Sequence, residues 1–150
     1  MDDVHIYPAS CVYADVLAAV HGQCFASAWD AAMFRSSLQH AAVHCAIAAV
    51  SEVPVGVYQV RWAVDQADLE TICVCPTFRG RGYARHLLQD ACAFLQKQDV
   101  EKLFLDVAED NSAARALYYS MGFVDIDVRR HYYGRGQHAK VMCRDLQQIK

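Results

Sequence analysis

The chain has no excess of positive charge. Fourteen Lys and Arg stand against seventeen Asp and Glu, and the formal net charge is −3. A general nucleic-acid binder is more often basic overall, so no direct nucleic-acid partner is expected. Long apolar runs are also missing. The most apolar one, Ala41 to Val50, contains His44 and is too short to cross a bilayer, so no membrane partner is expected. The start, Met1-Asp2-Asp3, lacks the basic segment of a signal peptide. Nor is there a disulfide framework, because the seven cysteines are odd in number and irregularly spaced. Cys73 and Cys75 form the only close pair, without a second pair to complete a metal site, and the seven histidines show no ligand spacing. Reduced thiols in a cytoplasmic protein without a metal are therefore expected. Internal repeats, low-complexity tracts and linkers are absent too, so residues 1–150 read as one domain.

What is present is organised around Leu69 to Gln96. Leu69 to Cys75 is rich in β-branched residues and reads as a strand, which Pro76 ends because it offers no N–H. Gly80 and Gly82 permit a tight turn. Ala84, Leu87, Leu88, Ala91 and Leu95 then recur at helical spacing, with Arg85, His86, Gln89 and Asp90 facing away. A strand, a glycine turn and a helix start make an anion site, since the first helical N–H groups lack partners and carry the positive end of the dipole. Arg79, Arg81 and Arg85 add formal charge, and the natural guest is a phosphate or pyrophosphate. No Gly-Lys-Ser/Thr ending is present, and Arg85 stands where a dinucleotide fingerprint needs its third glycine.

The remaining pattern predicts the order β-α-α-β-β-β-α-β-α-β-β. Strands are expected at Val4–Tyr7 (ended by Pro8), Val43–Val50, Val55–Val64, Leu69–Cys75, Lys102–Ala108, Phe123–His131 and Gln137–Asp145. Helices are expected at Cys11–Cys24 capped by Ser10, Ala31–Gln39 capped by Asp30, Tyr83–Gln96, and Ser112–Met121 capped by Asn111. Met33, Phe34 and Leu38 are the expected inner face of the second helix. Glu52-Val53-Pro54 and Asp65 to Asp68 read as turns, and Gly134-Arg135-Gly136 turns the last hairpin. Short turns give an antiparallel meander, and the helical crossover makes the Leu69 and Lys102 strands parallel neighbours. The expected fold is α/β: a mixed, mostly antiparallel sheet of about seven strands with helices on both faces. Phe25 and Trp29, between the first two helices, either plug the core or shape a pocket.

The run Arg79-x-x-Gly82-x-Ala84 resembles the acetyl-CoA signature of the GCN5-related N-acetyltransferase (GNAT) family. Leu105-Asp106-Val107, Asn111 and Ala116-Leu117-Tyr118 with Gly122-Phe123 are similar to a second segment of that family. Cys24-Phe25 with Trp29, and Arg129-Arg130-His131-Tyr132-Tyr133 with Ala139 and Met142, look like its RimI-type subgroup, which acetylates the N-terminal alanine of a ribosomal protein. The resemblance implies acetyl-CoA as cosubstrate and direct attack by an amine on the thioester. Such a reaction wants a base, an oxyanion donor and an acid for the departing thiolate.

By the same resemblance, backbone groups of Ile72, Cys73 and Val74 hold the pantetheine arm. Gly80, Arg81, Gly82, Tyr83, Ala84 and Arg85 hold the pyrophosphate, Asn111 contacts the cofactor, and Tyr118 is the general acid. Asp106 stands where the subgroup has a glutamate base. It is one methylene shorter, which leaves two alternatives open: Asp106 acting through an extra water, or the role passing to Glu109, Glu70 or Asp68. Tyr118 also fits a packing face with Ala114, Leu117 and Met121, with Tyr119 pointing elsewhere. His131, beside Tyr132 and Tyr133, lies near the expected peptide entrance, where structural use is favoured. Lysine side chains or small amines are alternative acceptors. A non-catalytic acetyl-CoA-binding or RNA-binding module is the competing class, the latter through the basic aromatic stretch Arg129 to Lys140.

Overall fold

A computed structural model describes residues 3–147. Strand β1 (Val4–Ala9) is followed by a short 3-10 turn, helix α1 (Ala14–Cys24) and helix α2 (Ala31–Leu38). Strands β2 (Val43–Val50), β3 (Val53–Ala63) and β4 (Gln66–Val74) form the meander. Helix α3 (Tyr83–Lys97), strand β5 (Lys102–Ala108), helix α4 (Ser112–Ser120) and the hairpin of β6 (Val124–Gly134) and β7 (Gln137–Asp145) complete it. The strands form one seven-stranded sheet in the order β1-β2-β3-β4-β5-β7-β6. Among the described residues only β4 and β5 pair in parallel, as the helical crossover requires.

One face of the sheet carries α3, through Leu87, Leu88, Ala91, Cys92 and Leu95, and α4, through Tyr118 with Ala114 and Met121. The opposite face carries α1, through Ala14, Leu17 and Val20, and α2, through the fully buried Phe34. Cys73 points to the second face, and Ile72 and Val74 to the first, as period-two alternation dictates. Among the described residues, no helix is long and apolar enough to cross a membrane.

Several boundaries differ from expectation for physical reasons. Pro8 does not end β1. It pairs with Ala46 inside an edge strand, where no second neighbour asks for its missing N–H. Pro54 lies inside β3, beside a register shift at Ala48/Ala49, and the turn is made by Ser51 and Glu52, both at positive φ. β4 begins at Gln66, after a turn at Val64 (φ 58°). Ser10 accepts a bond from the Tyr13 N–H through its carbonyl and not its side chain, so a 3-10 turn precedes α1. Asp30 and Asn111 do cap their helices, accepting from the N–H groups of Met33 (2.9 Å) and Ala114 (3.2 Å). Met33 is 48% exposed, which leaves Phe34 as the buried anchor of α2.

Candidate active site

The site begins where the sheet divides. β4 and β5 pair only at Gln66↔Lys102, Ala67↔Leu103 and Asp68↔Phe104. Beyond that point β4 follows β3 and β5 follows β7, so the strands part. A bulge in β4 lies at the same place: Gln59 pairs with Thr71 and Val60 with Leu69, leaving Glu70 as the extra residue. Glu70 accepts from Gln59 Nε2 at 2.8 Å and from Arg61 Nε at 3.1 Å.

Two adjoining clefts fill the gap. The larger, about 670 Å³, is lined by Asp68, Glu70, Asp106, Arg129, Tyr132 and Tyr133 among others. The smaller, about 410 Å³, is lined by His21, Phe25, Thr71, Ile72, Asn111 and Tyr118 among others. Trp29, Leu69, Glu70, Leu105, Asp106 and Tyr133 belong to both. The sheet's division thus opens one cleft to Asp106 of β5 and Tyr118 of the following helix α4.

Asp106 is 28% exposed at its side chain and lies 3.3 Å from Arg129 Nε. The carboxyl of Asp68 is raised from its ordinary value, first by burial, then by the negative charges of Glu70 and Asp106, against the pull of Arg129. Glu109 lines a separate small cleft with Asp110, Gln137 and His138, away from Asp106. Tyr118 is buried on α4, and burial is the main cause that lifts its phenol to about 12. It therefore keeps its proton through the neutral range. Tyr119 turns outward and donates to Asp125 at 2.8 Å.

The glycine loop adopts the conformation its residues permit. Gly80 (φ 78°) and Gly82 (φ 85°) occupy the left-handed region, with open space where a Cβ would stand. Gly82 is the N-cap of α3, and His86 makes the helix's first bond, to the Gly82 carbonyl at 3.2 Å. The amides of Tyr83, Ala84 and Arg85 precede that bond and have no intrahelical partner. The arginine side chains bind the protein itself. Arg79 Nε donates to the Val74 carbonyl (2.8 Å), Arg85 donates to Ser120 Oγ (2.8 Å), and Arg81 sits over the Phe78 ring. Among the described residues, no group of three or more His, Cys, Asp and Glu is placed to hold a metal ion.

Sequence reasoning missed His21. It is buried at the end of α1, and its Nδ1 accepts from the Trp29 N–H at 3.0 Å. The ring proton therefore sits on Nε2, which donates to Thr71 Oγ1 at 3.0 Å. Burial lowers its pKa and favours this neutral form. Trp29 stacks on the same ring and Phe25 meets it at a tilt, so the aromatic pair both packs and shapes the pocket.

The Acetyltransferase (GNAT) family model matches residues 14–123. The chain belongs to this family. The [ribosomal protein bS18]-alanine N-acetyltransferase of Haemophilus influenzae is 38% identical to this GNAT chain over 84 residues, covering 53% of this chain and 57% of that protein. The chain thus spans about half the length of the curated relatives it matches. The crystal structure of the Escherichia coli ribosomal-protein-S18-alanine N-acetyltransferase superposes with a TM-score of 0.88 at 25% identity, covering 99% of this chain and 97% of that one. A GNAT acetyltransferase from Elizabethkingia anophelis, solved with acetyl-CoA bound, has a TM-score of 0.80 at 15% identity, covering 97% and 99%, and shares the fold.

Proposed function

We propose that this GNAT protein transfers an acetyl group from acetyl-CoA to the α-amine of a protein N-terminus, with alanine of a ribosomal protein as the leading acceptor. The observation that carries this reading is the division of β4 from β5, which joins Tyr118 and Asp106 to a cleft reaching the aromatic hairpin. The activities of the matched relatives support the choice of acceptor.

The residues present suit acetyl-CoA. β4 beyond Asp68 has no β5 neighbour, so Ile72, Cys73 and Val74 bring main-chain groups to an unpaired edge, where an extended amide arm can bond. The amides of Gly80 to Arg85, with Arg79 fastening the loop to Val74, suit a pyrophosphate at the start of α3. Asn111 lines the smaller cleft while capping α4. Acetyl-CoA supplies the activated acetyl thioester.

The chain's own groups do the rest. Asp106, or Asp68 with its raised affinity for a proton, takes the proton of the incoming ammonium, directly or through water. A β4 amide donates to the carbonyl oxygen as negative charge develops there. Tyr118, protonated at neutral pH, gives its proton to the leaving sulfur.

The test is mass spectrometry of acetyl transfer to three acceptors: a peptide with a free N-terminal alanine, the same peptide blocked but carrying an internal lysine, and a polyamine. Thiol reagents are unsuitable with seven cysteines present. Acetylation of the free terminus alone is the expected result. Transfer to the lysine peptide or polyamine would move the acceptor class. No transfer with acetyl-CoA bound would overturn catalysis on these acceptors. Tyr118→Phe should lower turnover by about 100-fold with acetyl-CoA affinity little changed, and equal turnover would remove Tyr118 as the acid.

A further inference from the structure

Between Arg129↔Ala139 and Gly134↔Gln137, strand β6 spends four residues, Arg130 to Tyr133, against the single residue His138 of β7. So large a bulge needs a fastening. The backbone at its turning point is held in the left-handed region, at His131 (φ 57°). Two side chains then tie it. The His131 N–H donates to Nδ1 of His138 at 2.9 Å, and the Gly136 N–H donates to Nδ1 of His131 at 2.8 Å. The two rings meet edge to face, 4.7 Å between centroids. An amide can only donate, so both Nδ1 atoms hold a lone pair and both rings are neutral with the proton on Nε2.

The bulge carries Tyr132 and Tyr133 to the larger cleft, which also holds Asp68 and Asp106, the proposed bases for the incoming amine. Their rings contact one another, Arg129 lies over Tyr132, and Arg129 also pairs with Asp106. The fastening is therefore one chain segment away from the groups that would receive an amine.

We propose that His131 and His138 are positioning residues, a pair of neutral imidazoles forming a proton-sensitive latch that holds Tyr132 and Tyr133 over the acceptor cleft. Protonation at Nδ1 replaces an acceptor with a donor aimed at an amide hydrogen, and two charged rings at this separation repel. The latch is closed while both Nδ1 atoms keep their lone pairs, and it opens when either one takes a proton. Other charges bear on the pair. Glu109 and Asp110, from the turn after β5, share the small cleft with His138. Arg130, Arg135 and Lys140 are the cations of the hairpin itself, and Lys140 pairs with Asp125 at 3.6 Å. Tyr133 lines that cleft as a neutral phenol.

The effect on turnover rests on the proposed acetyl transfer, but the latch itself does not, and the two are read separately. The first readout is amide hydrogen exchange at His131 and Gly136 by NMR from pH 8 to pH 5, expressed as protection factors so that the intrinsic rate is removed. The comparison protein is the double variant His131→Asn, His138→Asn. Asn keeps an accepting oxygen near the Nδ1 position, tolerates positive φ, and does not titrate.

The expected result is a roughly fivefold or greater fall in protection for the natural chain, the worth of one net hydrogen bond, and level protection in the variant. Equal pH dependence in both proteins, or none in the natural chain, would overturn the latch. The second readout is acceptor-peptide KM. Its ratio, natural chain over variant, should rise by roughly fivefold between pH 7.5 and 5.5, with acetyl-CoA KM unchanged in ratio. Taking the ratio cancels protonation of the peptide amine. A level ratio with an opening latch would overturn the positioning role. Absence of acetyl transfer in both proteins would overturn the function while the exchange data still decide the latch.

Discussion

Asp68, Glu70 and Asp106 share one cleft, yet their surroundings differ. Glu70 has Gln59 and Arg61, and Asp106 has Arg129. Asp68 has no hydrogen-bonded partner of this kind, and its carboxyl is raised first by partial burial and then by the two other negative charges, against the weaker pull of Arg129. A raised carboxyl binds its proton more tightly in the folded chain than in the unfolded one. Its ionised form therefore costs stability once pH exceeds the folded value, and the cost vanishes below the unfolded value near 3.8. Asp68→Asn should stabilise the protein at pH 7 by up to about 1 kcal/mol, given solvent screening at a partly exposed site. The gain should fade as pH drops through the folded value toward 4. Thermal melts at pH 7 and pH 4 check both halves. An unchanged melt at pH 7 would show that the three charges do not repel at that position. The same variant reads the chemistry: loss of the rising limb of the pH–rate profile in Asp68→Asn, but not in Asp106→Asn, would move the base from Asp106 to Asp68.

At the scale of elements, the close approach of three of them falls on one glycine. Gly56 of β3 pairs with Val74, and a Cβ there would meet the Cys73 carbonyl at 2.7 Å and Leu87 Cδ1 of α3 at 2.9 Å. The leucine has some freedom to turn away, but the carbonyl is part of the sheet. Gly56→Ala should therefore destabilise by roughly 1–3 kcal/mol, with the urea midpoint lowered and the slope unchanged. A neutral result would mean that β4 yields there.

Elements of this kind were legible where one residue pattern decides them. β5 alternates between buried and more exposed positions, and its bounds agree with expectation, as do those of β2 and β7. Asp30 and Asn111 announce their helices because capping is local chemistry. What depends on a distant partner was not legible. Glu70 sits in a β-branched run and gives no sign of a bulge, which appears only once β3 is laid beside it. His21 lies on an apolar helix face, and its partners Trp29 and Thr71 come from a loop and a distant strand. The arginines of the glycine loop were legible as charge, but not as groups that bind the Val74 carbonyl and Ser120. Tyr118 combines both readings, since the packing residue also lines the cleft.

For the whole molecule, the sheet separates two cores and parts between β4 and β5, so the proposed cosubstrate would fill a seam that packing leaves open. A ligand that binds only the folded chain stabilises it by about 2.7 kcal/mol at a hundred times its Kd. For a chain of this length that corresponds to a rise in melting temperature of roughly 5–10 °C. Acetyl-CoA should produce that shift, and acetyl-pantetheine at equal concentration should give a much smaller one, because it reaches the β4 edge but offers no pyrophosphate to the amides of Gly80 to Arg85. Gly82→Ala should narrow the difference. Its φ of 85° is strained for any residue with a Cβ, so the loop that presents those amides would shift even though space is open beside it. Equal shifts from the two compounds would place the binding energy in the seam alone and remove the glycine loop as the pyrophosphate site. The expected inequality would instead assign separate parts of the cosubstrate to the divided sheet and to the start of α3.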